Sequence, residues 1–471
     1  MARAKLIPGE VLDGFTLVER VHVGGMASLW HVTHPDHALP MLMKVPKLSE
    51  GQDAAAIVGF EMEQMILPRL SGPHVPRFIA AADFTTQPYL VMERIAGTSL
   101  LPKLENLPLP AEEVAAIGAA IAGALDAVHR QHVVHLDIKP SNILFRETGE
   151  AVLVDFGLSH HTQLPDLMEE EFRLPYGTAP YMAPEQVMGL RSDLRSDLFA
   201  LGCLLYFFAT GTRPFGDPQR LSGLKRRLWN DPMPPRALCP DCPPWLQELI
   251  LRCLEVQPER RHATAAQLAF DLRHPDQVAL SARAEKLRRD PWLVRLKRRF
   301  NPEEPPPGAR RQDPARRAAA SPIVAVALDL DTAANRALAE AMRDVAGRVL
   351  AMHPGARLAC LYVLRTNLIA PDTTLDAQGR NRHALSLAQL KTWAAPLRLD
   401  EGRATFHVLA AVSAAEALLD FAAQNGIDHL VLGARAQSLR RRVLGSVSGE
   451  VAANAGCTVT VVRPRAAEGT G

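Results

Sequence analysis

VVHLDIKPSN, residues Val133 to Asn142, crowds a His, an Asp, a Lys and an Asn into eight positions. It follows an apolar stretch of helical character, Val114–His129. Such a loop suits work on a phosphate. Asp137 can accept a hydroxyl proton, Lys139 can neutralise a terminal phosphoryl group, and Asn142 can hold Mg2+ through its amide oxygen. A plain solvated loop is the alternative, so the neighbouring patterns decide.

Downstream, LVDFGL (Leu153–Leu158) sets Asp155 after a short apolar strand, where a carboxylate can ligate Mg2+. GTAPYMAPE (Gly177–Glu185) comes next, and then SDLFALGCLLYFF, whose Asp197 is expected to cap an apolar helix. Upstream, MLMKVPK places Lys44 in a β-type run. A buried lysine is costly unless paired, and Glu63 in the helical segment FEMEQMILPRL is the plausible partner. An edge-strand lysine is the plain alternative. VHVGGMASLWHV (Val21–Val32) carries Gly24 and Gly25, whose backbone N–H groups can approach phosphates closely, although a simple hairpin also explains them.

In this order the five patterns resemble the protein kinase superfamily, and the bacterial Ser/Thr kinases most closely. The resemblance implies an α+β bilobal fold over 10–275, with an N-lobe at about 10–95 and a C-lobe at about 96–275. It implies ATP and Mg2+ as cofactors and protein Ser/Thr hydroxyls as substrates. Val21, Gly24, Gly25 and Leu29 would cover the nucleotide. Lys44, paired with Glu63, would contact the α/β-phosphates. Met92 would be the gatekeeper, and Glu93-Arg94-Ile95 the hinge to adenine. Asp137 would be the base, Lys139 would sit beside the transferred group, and Asn142 and Asp155 would hold Mg2+. Thr178 would line the substrate site, and Glu185 would pair with Arg261. Lys139, two residues after the base, matches the Ser/Thr-specific type.

The chain departs from that pattern in places. His22 and Ala27 replace two glycines of the loop, and Leu29 replaces a valine. Leu136 stands where the family has the arginine that clamps a phosphorylated activation loop. Between Gly157 and Gly177 the only hydroxyls belong to Ser159, Thr162 and Tyr176, and the middle carries Glu169-Glu170-Glu171. With no arginine receptor, these acids read as a solvated loop, and loop phosphorylation is not the principal switch. The rival reading, resting on His22, Ala27 and Leu136, is a pseudokinase scaffold that binds nucleotide without phosphotransfer.

The chain of 471 residues is long enough for two or three domains. Its 53 Lys and Arg against 51 Asp and Glu leave +2, so no nucleic-acid partner is expected. Six cysteines do not make a disulfide framework, and no apolar signal core or transmembrane segment stands out; a cytoplasmic protein is expected. Residues 276–320 read as a basic Pro/Arg-rich linker, with a possible basic helix over Ala282–Phe300 interrupted at Asp290-Pro291. Cys239 and Cys242 have metal-site spacing but no second pair, and His160-His161 reads as exposed loop.

After Pro322, strand-like and helical runs alternate, which indicates a small parallel α/β sheet. IVAVALDL, ARLACLYVL, HLVLGAR and TVTVVRP are the strand candidates. Residues 321–465 resemble the universal stress protein family, an α/β flavodoxin-like fold, through LVLGARAQSLRRRVLGSVSGEVAANAGCTVTVVRP. The resemblance implies an AMP/ATP site at Asp329, Gly433, Gly445 and Ser446, but Ala436 replaces a glycine of that loop and the spacer is one residue short. A nucleotide sensor and a homodimerisation module remain the two readings of this domain.

Overall fold

A computed structural model describes residues 6–48, 54–172, 175–300, 322–330, 336–366, 374–400, 402–434 and 446–463. Its first lobe is an antiparallel sheet beside one helix. Strands β1 (Phe15–Val23), β2 (Ala27–His34) and β3 (His37–Pro46) precede helix α1 (Ala54–Ile66), and β4 (Phe78–Ala82) and β5 (Tyr89–Glu93) follow it. The sheet runs from a two-residue edge at Val11–Leu12 through β1, β2, β3 and β5 to β4. Side chains alternate along β3. Met41, Met43 and Val45 enter one apolar cluster with Leu17, Trp30 and Val91. Leu42 and Lys44 therefore face the other way, toward α1.

The second lobe is mainly helical. It contains α2 (Ala111–His129), the hairpin β6 (Ile143–Arg146) and β7 (Ala151–Leu153), α3 (Leu167–Glu171), α4 (Arg195–Thr210), α5 (Pro244–Cys253) and α6 (Ala265–Arg273). Helix α4 is apolar on nearly every side and is buried accordingly, packed by α2 and α5. Arg261 ties it to the helical turn at Pro184–Val187, meeting Glu185 at 2.6 and 2.8 Å with both partners buried, and donates to Arg195 O at 2.8 Å. Removing one member of such a pair costs about 3–5 kcal/mol.

Beyond 275 the basic stretch is pinned to this lobe rather than free. Arg283 reaches Glu248 at 3.1 Å and Glu255 at 2.9 Å, and Lys286 reaches Asp231 at 2.9 Å. Only the second half of the anticipated helix is helical, as α7 (Trp292–Phe300), which starts just after Pro291.

The last unit has β8 (Ile323–Leu328), α8 (Arg336–Met352), β9 (Arg357–Arg365), α9 (Arg382–Ala394), β10 (Ala404–Ala411), α10 (Ala414–Asn425), β11 (His429–Gly433), α11 (Ser446–Asn454) and β12 (Thr458–Val462). Its five strands are parallel in the order β10-β9-β8-β11-β12. The sequence reading named four of them and missed β10, whose TFHVLAA run is interrupted by His407.

The two units are not independent. One apolar core runs from Phe60, Phe84 and Leu167 of the first unit into Leu387, Leu390 and Val431 of the second. Two surface expectations fail as a result of packing. His161 is buried and pairs with Val133 in a two-residue ladder, while His160 Nδ1 lies 3.0 Å from Asp166. Glu169–Glu171 are not a solvated loop; they belong to α3, where Glu170 and Glu171 are covered by the C-terminal unit. Cys239 and Cys242 are free thiols, and no group of three or more candidate metal ligands occurs among the described residues.

Candidate active site

Two charged clusters meet between the lobes. In the upper one, Lys44 Nζ donates to Glu63 Oε2 at 2.5 Å and to Asp155 Oδ1 at 2.8 Å. Burial opposes the ammonium charge, but Asp155 and Glu63 outweigh it and raise the Lys44 pKa. The same lysine pulls Asp155 down to about 2, against its burial. Burial pushes Glu63 upward, yet an ammonium at 2.5 Å keeps that pair ionised. Asp155 is 43% exposed and remains open to the cleft.

In the lower cluster Asp137 is held by several donors. Lys139 Nζ reaches Oδ2 at 2.6 Å, and Asn142 Nδ2 reaches Oδ2 at 3.0 Å. Thr178 donates its hydroxyl to Oδ1 at 2.6 Å and its amide at 3.1 Å. The carboxylate is thus fixed in orientation before any substrate arrives.

Backbone strain supports this arrangement. Leu136 and Asp155 adopt left-handed φ values of 63° and 68°. Such conformations cost about 1–3 kcal/mol and persist only where the surroundings hold them. Asp197 holds the first. Its carboxylate accepts from the amides of His135 and Leu136, each at 2.8 Å, and lies 2.8 Å from His129 Nε2. The expected helix cap is therefore a buried brace for the loop that carries Asp137, a role its position in the first turn of α4 did not reveal. Ser159 is also buried, its hydroxyl donating to His135 O at 3.0 Å.

A glycine pair was missed as well. A Cβ on Gly59 would lie 3.1 Å from Gly157 O, and one on Gly157 would lie 3.0 Å from Gly59 O. Helix α1 packs backbone to backbone on the segment after Asp155, which keeps Glu63 within reach of Lys44.

Elsewhere the cleft follows the hairpin. Val21 lies near the end of β1 and is exposed, Gly24 and Gly25 form the tip, and Leu29 lies opposite Lys44 on β2. Lys47 Nζ donates to Gly24 O, latching the tip onto the end of β3. Met92 is buried on β5; Glu93, next to it, pairs with Arg146 at 2.6 Å, and Ile95 follows the strand.

Mg2+ prefers hard oxygen ligands. The Asp155 carboxylate stays anionic, and Asn142 commits its amide nitrogen to Asp137; its carbonyl oxygen accepts from Ser141 Oγ at 3.3 Å and keeps a second lone pair for coordination. The donor set therefore fits the ion.

In the C-terminal unit, Asp329 and Gly433 lie at the carboxyl ends of neighbouring strands β8 and β11. The strand order reverses there, the usual ligand crevice of such sheets. Ser446 opens α11, and Gly445 lies outside the described residues. Gly433 also has a packing role, because a Cβ there would come within 2.8 Å of Leu338 and 3.0 Å of Met342.

Comparison with known families gives two matches. The protein kinase domain profile covers residues 15–272, and the universal stress protein family profile covers residues 322–463. The serine/threonine-protein kinase PknL of Mycobacterium bovis is 31% identical over 264 residues, 56% of this chain and 66% of that protein. A probable serine/threonine-protein kinase of Clostridium perfringens is 28% identical over 285 residues, 60% of this chain but 40% of its own length. The chain thus spans less than two thirds of these relatives. The crystal structure of the Mycobacterium tuberculosis PknI kinase domain superposes with a TM-score of 0.46 at 24% identity, covering 57% of this chain and 99% of that one.

Proposed function

Because the chain belongs to the protein kinase family, through a profile spanning residues 15–272 of its 471, we propose that it transfers the γ-phosphoryl group of ATP to Ser or Thr hydroxyls of proteins. The observation that carries this reading is Lys44 bridging Glu63 and Asp155 at 2.5 and 2.8 Å. Lys44 would grip the α/β-phosphates while Glu63 fixes its direction. Asp137, oriented by Lys139, Asn142 and Thr178, would accept the proton of the incoming hydroxyl. Lys139 would offset charge on the transferred group. When bound, Mg2+ at Asn142 and Asp155 supplies charge neutralisation on the nucleotide phosphates. The chain's own contribution is mainly positioning and electrostatics.

The C-terminal unit would sense AMP or ATP at Asp329, Gly433 and Ser446, or pair two copies of the chain. Its placement at a sheet switch point supports the first use. No helix among the described residues is long and apolar enough to cross a membrane.

Incubation with radiolabelled ATP and Mg2+ tests the catalytic reading. Lys44→Ala and Asp137→Ala should each lower transfer by about 100- to 10,000-fold. Equal labelling of the intact chain and both variants would favour the nucleotide-binding scaffold, whose support is the altered loop at His22 and Ala27.

A further inference from the structure

We infer that Arg357 and His407, in the C-terminal domain, are positioning residues of the kinase site: they hold the acidic helix α3 against α1 in place of a phosphate–arginine clamp. The inference rests on the kinase reading above. Leu136 gives the catalytic loop no arginine with which to fasten the activation segment. The segment is fastened nonetheless: Arg191 of the same unit holds Asp166, the cap of α3, at 2.7 Å, and the far end of the helix is held from the other domain.

Helix α3 is wedged between α1 on one side and β10 and α10 on the other. Leu167 and Met168 are buried in the shared core. The carboxylate of Glu170 meets Arg357 at 2.8 and 3.2 Å, and Asn425 Nδ2 donates to Glu170 O at 3.3 Å. Glu171 Oε1 lies 3.0 Å from His407 Nδ1. The other ring nitrogen is 3.1 Å from Glu170 Oε2, although poorly aligned for a hydrogen bond. His407 has no exposed surface. Buried acids are costly unless paired, and here two carboxylates are met by one guanidinium and one imidazole ring. A phosphate on the segment would have served the same purpose as Glu170 and Glu171. Its receptor comes from the second domain.

A second contact acts on α1 directly. Lys391 of α9 lies 2.5 Å from Glu61 and 3.6 Å from Asp83, with its ammonium over the rings of Phe84 and Phe406. Glu61 and Glu63 are two positions apart, so they project from nearly opposite sides of the helix. One lysine from each domain therefore grips α1. Loss of the outer grip would leave Glu61 buried without its cation and free α1 to rotate away from Lys44.

The test uses the full chain, with ATP and dephosphorylated casein as the probe substrate. Arg357→Gln alters the C-terminal side, and the pair Glu170→Gln with Glu171→Gln alters the kinase side while leaving the C-terminal fold untouched. Each should lower kcat at least tenfold with less than a threefold change in KM for ATP. Hydrogen exchange should quicken in residues 54–66 and 167–171. The swap of Glu170→Arg with Arg357→Glu should restore at least half of the turnover, which a purely structural role would not predict. Turnover within twofold of the parent chain despite faster exchange, turnover above the parent, or unchanged exchange overturns the inference. A parent chain that transfers no phosphate overturns the kinase reading itself, and this is seen before any variant is compared.

Discussion

The two sides of helix α1 use the same chemistry to opposite ends. On the inner side, Lys44 joins Glu63 and Asp155, and the cluster stays open because Asp155 keeps 43% of its surface. On the outer side, Lys391 joins Glu61, and the neighbouring acids Glu170 and Glu171 are covered by Arg357 and His407. An open cluster can receive a charged ligand. A closed cluster can only hold its own parts in register. The difference lies in water access, not in residue type, and it divides the positions open to a charged ligand from those that act on turnover only by holding α1 and α3 in place.

The glycine pair offers the largest break between the two sides. Gly59 sits mid-helix, where alanine would favour helix formation by about 1 kcal/mol. Its added Cβ would press on Gly157 O from 3.1 Å, and a backbone atom yields less readily than a side chain. Gly59→Ala should therefore lower kcat about tenfold or more, through the Lys44–Glu63 pair, while the melting temperature holds or rises. A variant with full turnover would show that the inner cluster tolerates movement of α1.

Titration separates the sides next. The outer cluster faces α3 through Glu169, Glu170 and Glu171, β9 and β10 through Arg357 and His407, and α1 and α9 through Glu61, Asp83 and Lys391. Burial disfavours the His407 cation, but Glu170 and Glu171 more than compensate and raise it to about 9 from an ordinary 6.5. Its contribution to docking is complete below the ordinary value and is lost as pH climbs through about 9. Burial raises Glu171 to about 7, so its docked form also loses ground as pH rises. Glu170 is lowered, against its burial, by His407 and Arg357, and contributes above the usual carboxylate range. Docking should be firmest near pH 5, just above the usual carboxylate range, and should loosen progressively from there, through the loss at Glu171 toward pH 7 and at His407 toward pH 9. Exchange of the amides in 167–171 should quicken severalfold between pH 7 and 9, after correction for intrinsic base catalysis. His407→Gln should flatten that change; an equally steep profile in the variant would assign the titration elsewhere.

The limits of the sequence explain why one side could be read and the other could not. Lys44 pointed to Glu63 because an apolar strand makes an unpaired ammonium costly. The loop from Val133 to Asn142 carried its chemistry within one short segment. The partners of Glu170 and Glu171 lie 187 and 236 residues away, and no local pattern links them. The strand that brings His407 was itself missed, since a histidine breaks its apolar run. Position alone places Asp197 at a helix start, whereas tertiary packing turns it toward the strained amide of Leu136. Local chemistry was legible; the long-range closure that buries acids was not.

The smallest expected effect on turnover concerns Gly433, which compares instructively with Gly59. In the nucleotide reading, glycine there lets a phosphate approach the end of β11. In the packing reading it makes room for α8, since a Cβ would crowd Leu338 at 2.8 Å and Met342 at 3.0 Å. Both neighbours are side chains that can adjust, so Gly433→Ala should cost about 1–3 kcal/mol of stability. For a unit of this size that is a fall in melting temperature of several degrees, about 2–8 °C per kcal/mol. Turnover at 25 °C should stay within twofold, because β11 lies away from the clamp on α3. Calorimetry and titration with a fluorescent AMP analogue would decide between the roles. An unchanged melting temperature with lost nucleotide binding would assign Gly433 to the ligand. A lowered melting temperature with nucleotide binding retained would assign it to the core, as the contacts of Leu338 and Met342 require.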